Sequence, residues 1–171
     1  MSYKDIKSAR DKDENSFETD DKNLMIACYR EQYSEESLDY IRGKIQDASP
    51  EKIIILKLLE EKRSSELIDA NIGFRDKKKL ADILRKEQKE KIDRLAKGLI
   101  KMVERFDIPY EVHIGINYDL ASEIIDEFSK RSVDHVIIHT PTRSSIGRMM
   151  EGSVSRKVLK TLGEDKVTLL E

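Results

Sequence analysis

Five short segments rich in apolar residues, separated by longer polar stretches, constrain the fold of this 171-residue chain most strongly. Short runs of β-branched and other apolar residues are typical of strands buried on both faces of a sheet. The third segment differs from the others because its apolar and polar positions alternate. The predicted strands are Leu24–Tyr29, Ile53–Leu59, Tyr110–Ile116, Val133–His139 and Val167–Leu170.

Amphipathic helices are predicted between these strands, because apolar residues recur there at helical spacing. Ser34 is a suitable N-cap for the first helix, which ends before Pro50, and Asp119 is a suitable N-cap for the third. Gly163 is placed to terminate the last helix. The inward positions are Leu38, Ile41 and Ile45; Leu80, Ile83, Leu84, Ile92, Leu95, Ala96, Leu99, Ile100 and Val103; Leu120, Ile124, Ile125 and Phe128; and Met150, Val154, Val158, Leu159 and Leu162.

Three segments lack a clear periodic pattern. Residues 1–22 are largely charged and polar, and we interpret them as a flexible leader that precedes a single domain over residues 23–171. Glu60–Lys79 is predicted to be a long connection with a short helix near Ser65–Ala70. Thr140–Gly147 is predicted to be a loop of small polar residues.

Strands that alternate with helices predict an α/β fold, with a parallel sheet and helices on both of its faces. In such sheets a ligand binds beyond the carboxyl ends of the strands, at the point where the strand order reverses. That rule selects the loops that follow Tyr29 and His139 as the candidate binding site.

Composition excludes several classes of protein. The 32 basic and 34 acidic side chains nearly balance, which gives no support to a nucleic-acid partner. Cys28 is the single cysteine and has no internal disulfide partner. Without a signal-peptide pattern or an apolar run near the roughly 20 residues of a membrane span, the expected location is the cytoplasm, with no membrane partner.

Three local patterns then resemble the universal stress protein family. They are Tyr33–Leu38 at the start of the first helix, Asp119–Ile125 at the start of the third, and the Gly-Ser-Val-x-x-x-Val-Leu run of Gly152–Leu159. The resemblance spans roughly Leu24–Glu171. It implies a doubly wound, Rossmann-like sheet of the adenine nucleotide alpha hydrolase type, with five parallel strands in the order 3-2-1-4-5.

The resemblance also implies a degenerate nucleotide site. ATP-binding members of the family carry Gly-x-x-Gly, nine further residues and Gly-Ser or Gly-Thr, so that backbone amides approach the phosphates closely. In this chain His139 and Thr142 occupy the first two glycine positions, and only Gly152 remains. The ribose-binding Asp of those members is replaced by Tyr29.

Two interpretations of the loop after the fourth strand stay open. In one, Thr142, Ser144, Ser145, Gly152 and Ser153 form a phosphate cradle to which Arg143 adds charge, because hydroxyls and a helix N-terminus can bind an anion. In the other, the same residues form an ordinary turn and a helix start. By resemblance, the backbone of Leu58 is the adenine-contacting position.

Other candidate residues are interpreted as structural. Tyr29 is expected to pack its ring and to keep its hydroxyl in water, although a stacking platform for a base is the alternative. Cys28 lies within an apolar strand and is expected to behave as a small hydrophobe. His113, His135 and His139 lack metal-ligand spacing. The charged run Lys77–Arg94 is interpreted as the solvated face of the long helix, with a partner surface as the alternative.

The function predicted from the sequence is a non-catalytic, dimeric stress-response domain with weak or no ATP binding and with unidentified protein partners. The chain contains no Gly-x-Ser-x-Gly elbow, P-loop or pyrophosphatase-like loop, which disfavours those enzyme classes. The alternative is a regulatory protein that binds ATP, with magnesium, or another adenine nucleotide. A homodimer is expected through the last strand, Val167, Thr168, Leu169 and Leu170, as in the resembling family.

Overall fold

The computed structural model describes residues 22–29, 32–61, 74–139 and 145–170, with the side chains of 74–77 and 145–153 outside that description. Five strands form one parallel sheet: β1 (Asn23–Cys28), β2 (Lys52–Glu60), β3 (Tyr110–Asn117), β4 (His135–His139) and β5 (Val167–Leu170). Within the described residues four α-helices pack on it, α1 (Glu35–Ala48), α2 (Phe74–Val103), α3 (Leu120–Lys130) and α4 (Ser145–Leu162), and a short 3-10 helix, Glu164–Lys166, precedes β5.

The strand order is β3-β2-β1-β4-β5, and all four strand pairs are parallel, as predicted. The chain leaves β1 toward β2 and β3 on one side and returns to β4 and β5 on the other. The strand order therefore reverses between β1 and β4. Their carboxyl ends, at Tyr29 and His139, are the two positions that the sequence selected.

Two apolar cores lie on opposite faces of the sheet. The first packs α3 and α4 against alternate strand residues such as Met25, Ile54 and Val136. The second packs α1 and α2 against the intervening residues, such as Ile26 and Ile55. Because β1, β2 and β4 contribute side chains to both cores, their sequences are continuous apolar runs.

Local signals account for most helix boundaries. The Ser34 hydroxyl accepts a hydrogen bond from the Ser37 backbone N–H at the start of α1, and Ser49 ends that helix in the left-handed conformation. Asp119 caps α3 through the backbone N–H groups of Ala121 and Ser122. Gly163 follows α4 with a φ of 97°, which confirms the predicted stop.

Two predicted boundaries are wrong. The long helix begins at Phe74 instead of Leu80, and α4 begins at Ser145, within the stretch predicted as a loop. Both extensions consist of residues that are compatible with a helix but not apolar enough to mark one, so periodicity missed them. The short helix predicted near Ser65–Ala70 lies outside the described residues, as does the leader up to residue 21.

Candidate functional site

The carboxyl ends of β1 and β4 are filled by aromatic side chains. Tyr29, which follows β1, is 1% exposed, and His139, at the end of β4, is 5% exposed. Tyr33 packs beside His139, with the two ring centroids 5.0 Å apart and the two planes at 73°. We call Tyr29, Tyr33 and His139 the aromatic plug.

Tyr33 is held in place by the strand that it covers. Its hydroxyl donates a 2.8 Å hydrogen bond to the Ala27 carbonyl, and burial raises the pKa of its phenol well above the ordinary value. The ring is therefore neutral and fixed against β1. His139 and this ring pack against each other edge to face.

Tyr29 packs into the core as expected, among residues of the α3 and α4 face. The expectation that its hydroxyl reaches water is wrong, because the oxygen is buried together with the ring. A ring enclosed in this way presents no face on which a base could stack. The sequence could not give this result, since the depth of a residue beyond a strand end depends on the helices above it.

A small cleft lies beside the plug, above the end of β2. Its volume is about 130 Å³, and its lining includes Tyr29, Leu58, Ile92 and Leu120. Glu60, Gln88 and Lys91 supply the polar part of its lining. Ligand pockets usually measure about 300 to 1,000 Å³, so this cleft is small for a whole nucleotide.

The structure brings together only part of the predicted site. Leu58 and Tyr29, the positions that the resemblance links to adenine and ribose, both line the cleft. Thr142 and Arg143 lie outside the described residues, as does Ser144. Ser145, Gly152 and Ser153 belong to α4, and their side chains lie outside the description. The phosphate-cradle interpretation of these residues stays a prediction.

A polar link that periodicity did not reveal joins α3 to α4. The Lys157 ammonium donates hydrogen bonds to the Asp119 carboxylate and, at 3.0 Å, to the Ser122 hydroxyl. The Lys157 contact lowers the pKa of the Asp119 carboxyl to about 2. Lys157 lies within Gly152–Leu159, which the sequence singled out for its glycine and serine and not for this lysine.

A second polar contact fixes the carboxyl end of β3. Asn117 donates a 3.1 Å hydrogen bond from its side-chain amide to Glu123. Gly115 makes room for this carboxylate, since a Cβ at that position would lie 2.7 Å from Glu123 Cγ. This close approach of α3 to β3 explains why a glycine occupies this position of the strand.

Cys28 and the histidines have structural surroundings. Burial raises the pKa of the Cys28 thiol to about 12, so the thiolate that reacts and binds metals is disfavoured. His135 Nε2 lies 2.7 Å from Thr168 Oγ1, and His113 Nε2 lies 2.8 Å from Glu111 Oε2. Among the described residues, no three His, Cys, Asp or Glu side chains are grouped to hold a metal ion.

The residues that surround the strand ends do not fit a nucleoside bound as in the ATP-binding relatives. Tyr29 and His139, which by resemblance occupy the positions of the ribose-binding Asp and the first glycine, are a buried phenol and a buried imidazole. A nucleoside in the space that the Tyr29 ring fills would have to displace that ring, and the neighbouring cleft is small. No helix in the described part of the chain is both long and apolar enough to cross a membrane.

Comparison with known families agrees with this architecture. Residues 33–162 match the model of the universal stress protein family. No curated protein sequence gives a significant match.

Solved structures of low sequence identity share the fold. A universal stress protein from Archaeoglobus fulgidus aligns with a TM-score of 0.55 at 10% identity, over 87% of this chain and 93% of that one. The hypothetical protein MJ0577 gives 0.59 at 17% identity, over 87% and 94%. A protein of the same family from Burkholderia pseudomallei gives 0.53 at 12% identity, over 87% and 95%.

Proposed function

Because this chain belongs to the universal stress protein family, we propose that it is a non-catalytic, dimeric stress-response domain that acts through protein contacts, with weak or no ATP binding. Its setting in this proposal is the cytoplasm. Residues 23–171 would form the working domain and residues 1–22 an extension of it.

Burial of Tyr29 is the observation that carries the proposal. A nucleoside at this position requires the ring to leave the core, and exposing a buried side chain of this size costs about 1.5 to 3 kcal/mol. Each 1.4 kcal/mol weakens binding about tenfold. Displacement of Tyr29 alone would therefore weaken a nucleotide roughly ten- to hundredfold, before any loss of contacts at His139 and Thr142.

Pairing of two β5 strands would form the dimer. β5 is an edge strand whose short run Val167–Leu170 carries no charge. A chain that ends at Lys166 should be monomeric in light scattering if β5 forms the interface, provided its circular dichroism remains native. An unchanged dimer mass in the folded, shortened chain would refute pairing through β5.

ATP or another adenine nucleotide as a regulatory ligand is the second candidate, and one observation favours it. The cleft beside Leu58 has room for a small group, and Lys91 places a cation in its lining. In this case Thr142, Arg143, Ser145, Gly152 and Ser153 would replace the missing amide contacts to phosphate, with magnesium as counter-ion.

Thermal unfolding in the presence of ATP and magnesium separates these functions. A ligand that binds only the folded state stabilises it by about 2.7 kcal/mol at one hundred times its Kd. We expect no shift of the midpoint at millimolar ATP. A rise of several degrees would reject the proposal in favour of nucleotide regulation.

A variant with a restored site provides the matched control. Tyr29→Asp with His139→Gly and Thr142→Gly returns the residue types of ATP-binding relatives, and this variant should gain a shift with ATP if it remains folded. Tyr29→Ala, which opens the same space without a carboxylate, should gain less. A folded triple variant that gains nothing would contradict the degenerate-site explanation.

A further inference from the structure

The edge strand β3 exposes an apolar stripe on one face of the sheet. Val112, Ile114 and Ile116 are 37%, 44% and 43% exposed, and Tyr110 continues the row at 37%. We call these four residues the β3 stripe. On the same face, by contrast, the apolar residues of β2 and of β1 beyond it, such as Ile55 and Ile26, are buried.

The stripe is exposed because the helix layer ends at β2. On this face α2 covers Ile53, Ile55 and Leu59 of β2. Lys57 is the register partner of Ile114, and its ammonium lies 2.6 Å from Asp93 on α2. β3 thus lies beyond the part of the sheet that α2 covers, and its apolar side chains are not buried by that helix.

The backbone of the stripe faces the free edge of the strand. The carbonyls of Pro109 and Asn117 accept hydrogen bonds from the backbone N–H groups of Ile53 in β2 and of Glu61 directly after it, at 3.0 and 2.9 Å. Backbone groups alternate in direction along a strand, so those of Val112, Ile114 and Ile116 point away from β2. In the described sheet β3 has a partner on one side only. The same residues therefore present an apolar face and an unused hydrogen-bonding edge.

We propose that a second copy of this chain pairs with β3 in antiparallel orientation, with the two-fold axis at Ile114. Ile114 then faces its own copy, Val112 faces Ile116, and Tyr110 faces Tyr118, which is 51% exposed. Antiparallel residues that face each other across the edge exchange two hydrogen bonds per pair. Three such pairs form across the axis, which gives about six bonds.

Charges on the opposite face of β3 are compatible with this register. Glu111 faces Asn117 of the other copy, and His113 faces Gly115, so no like charges meet. Glu111 is already neutralised within its own chain, because Lys52 lies 2.6 Å away, and this contact, with that of His113, lowers the pKa of the Glu111 carboxyl to about 2. An axis at His113 would instead place two imidazoles opposite each other and leave Tyr118 uncovered.

The size of the contact sets its strength. Roughly nine residues on each copy take part, against about 20 to 30 on each side of a standard stable interface. The pairing is therefore weak and depends on protein concentration. It uses the edge opposite to β5, so it is compatible with a dimer through β5 and joins such dimers into larger assemblies.

Cysteine crosslinking tests the register directly. Two Ile114→Cys side chains face each other with Cα atoms about 5.5 Å apart, within the range of a disulfide. The native Cys28 is buried and contributes no accessible thiol. Mild oxidation of the full-length chain should crosslink Ile114→Cys but not Ile116→Cys, whose two copies are four residues out of register. Crosslinking of Ile116→Cys alone, or of both equally, would overturn the register.

Sedimentation over a range of concentrations tests the surface without depending on thiol geometry. Ile114→Lys should raise the dissociation constant of self-association at least tenfold. Ile83, which was predicted to face inward, is 54% exposed on α2, so Ile83→Lys is the matched control and should behave as wild type. Equal association of Ile114→Lys and wild type would overturn the proposal. So would stronger association of a chain without residues 1–21, because the leader would then be what covers the stripe.

Discussion

The carboxyl ends of β1 and β4 and the outer edge of β3 differ in a way that relates to function. At the strand ends, where this fold binds ligands, Tyr29 and His139 are almost completely buried. At the β3 edge, where a soluble chain usually carries polar or charged residues, Ile114 is 44% exposed. Large side chains are thus buried at the position where this fold usually binds a ligand, and apolar side chains are exposed at the edge of the sheet.

The difference has a simple physical origin. β1 and β4 are central strands covered by helices on both faces, so large side chains at their ends gain by packing. On the α2 face, β3 lies beyond the helix layer, so its side chains have no covering element within the described chain. We propose that the strand ends are closed to a small molecule and that the β3 edge binds a second copy of the chain.

The largest expected effect follows from removing the ring of Tyr29. Tyr29→Ala should lower the free energy of unfolding by about 3 to 5 kcal/mol, because a large buried side chain is replaced by a cavity. Urea titration measures the change. Ile83→Ala, at a site 54% exposed, is the control and should change stability by less than about 1 kcal/mol. A small effect at Tyr29 would mean that its ring is not packed in the core.

As the pH falls, protonation of buried His135 in β4 should destabilise the fold before protonation of Glu111 in β3 does. Burial lowers the pKa of His135 from 6.5 to about 4, so folding favours its neutral form. The free energy of unfolding therefore keeps its full value from this group above pH 6.5. It falls by about 3 kcal/mol as the pH drops from 6.5 toward 4, because the unfolded chain binds the proton more tightly. Unfolding by urea at several pH values should show this slope in wild type and a flatter one in His135→Gln.

Glu111 on β3 provides the contrast within the same titration. The pKa of its carboxyl is lowered from 4.5 to about 2, chiefly by Lys52. The stabilisation that the ionised carboxylate gives the folded chain is therefore complete above pH 4.5 and is lost only as the pH falls below that value. An unchanged pH slope in His135→Gln would show that the loss above pH 4.5 arises elsewhere.

A smaller effect is expected at the start of α3. Asp119→Ala removes both the helix cap and the contact with Lys157, and should cost about 1 kcal/mol at neutral pH. The pKa of Asp119 is lowered to about 2, so this cost should fade as the pH falls from 4 toward 2. Asp126→Ala, on the exposed side of the same helix, should be nearly neutral. Equal effects of the two substitutions would exclude a capping role.

The smallest effect on stability is expected at the β3 stripe. Ile114→Lys removes an exposed side chain from an edge and should change the free energy of unfolding by less than about 0.5 kcal/mol. Dilute protein in urea gives this value without association. A loss above 2 kcal/mol would show that the stripe belongs to the core of the single chain.

Much of the fold was predictable because burial on two faces leaves a clear mark in sequence. The continuous run Ile53–Leu59 and the cap Ser34 gave their elements to within a few residues. The start of α2 at Phe74 was missed, since a polar helical turn has no periodic signal.

The candidate site was predictable in position but not in detail. The packing of His139 on Tyr33 and the bond between Lys157 and Asp119 join residues far apart in the chain, and only the folded geometry brings them together. The exposed face of β3 was also unpredictable. Alternating apolar and polar residues are typical of a strand whose apolar face is buried, whereas in this structure the apolar face of β3 is the open one.

Hydrogen exchange of the full-length chain, measured in one series with and without millimolar ATP and magnesium and at low and high protein concentration, tests both sides of the comparison. We predict that ATP leaves the peptides around Tyr29 and His139 unchanged, while raising the protein concentration protects the backbone N–H groups of Val112, Ile114 and Ile116. Both proposals would be contradicted if ATP protected the peptides around Tyr29 and His139 and the exchange of β3 did not change with protein concentration.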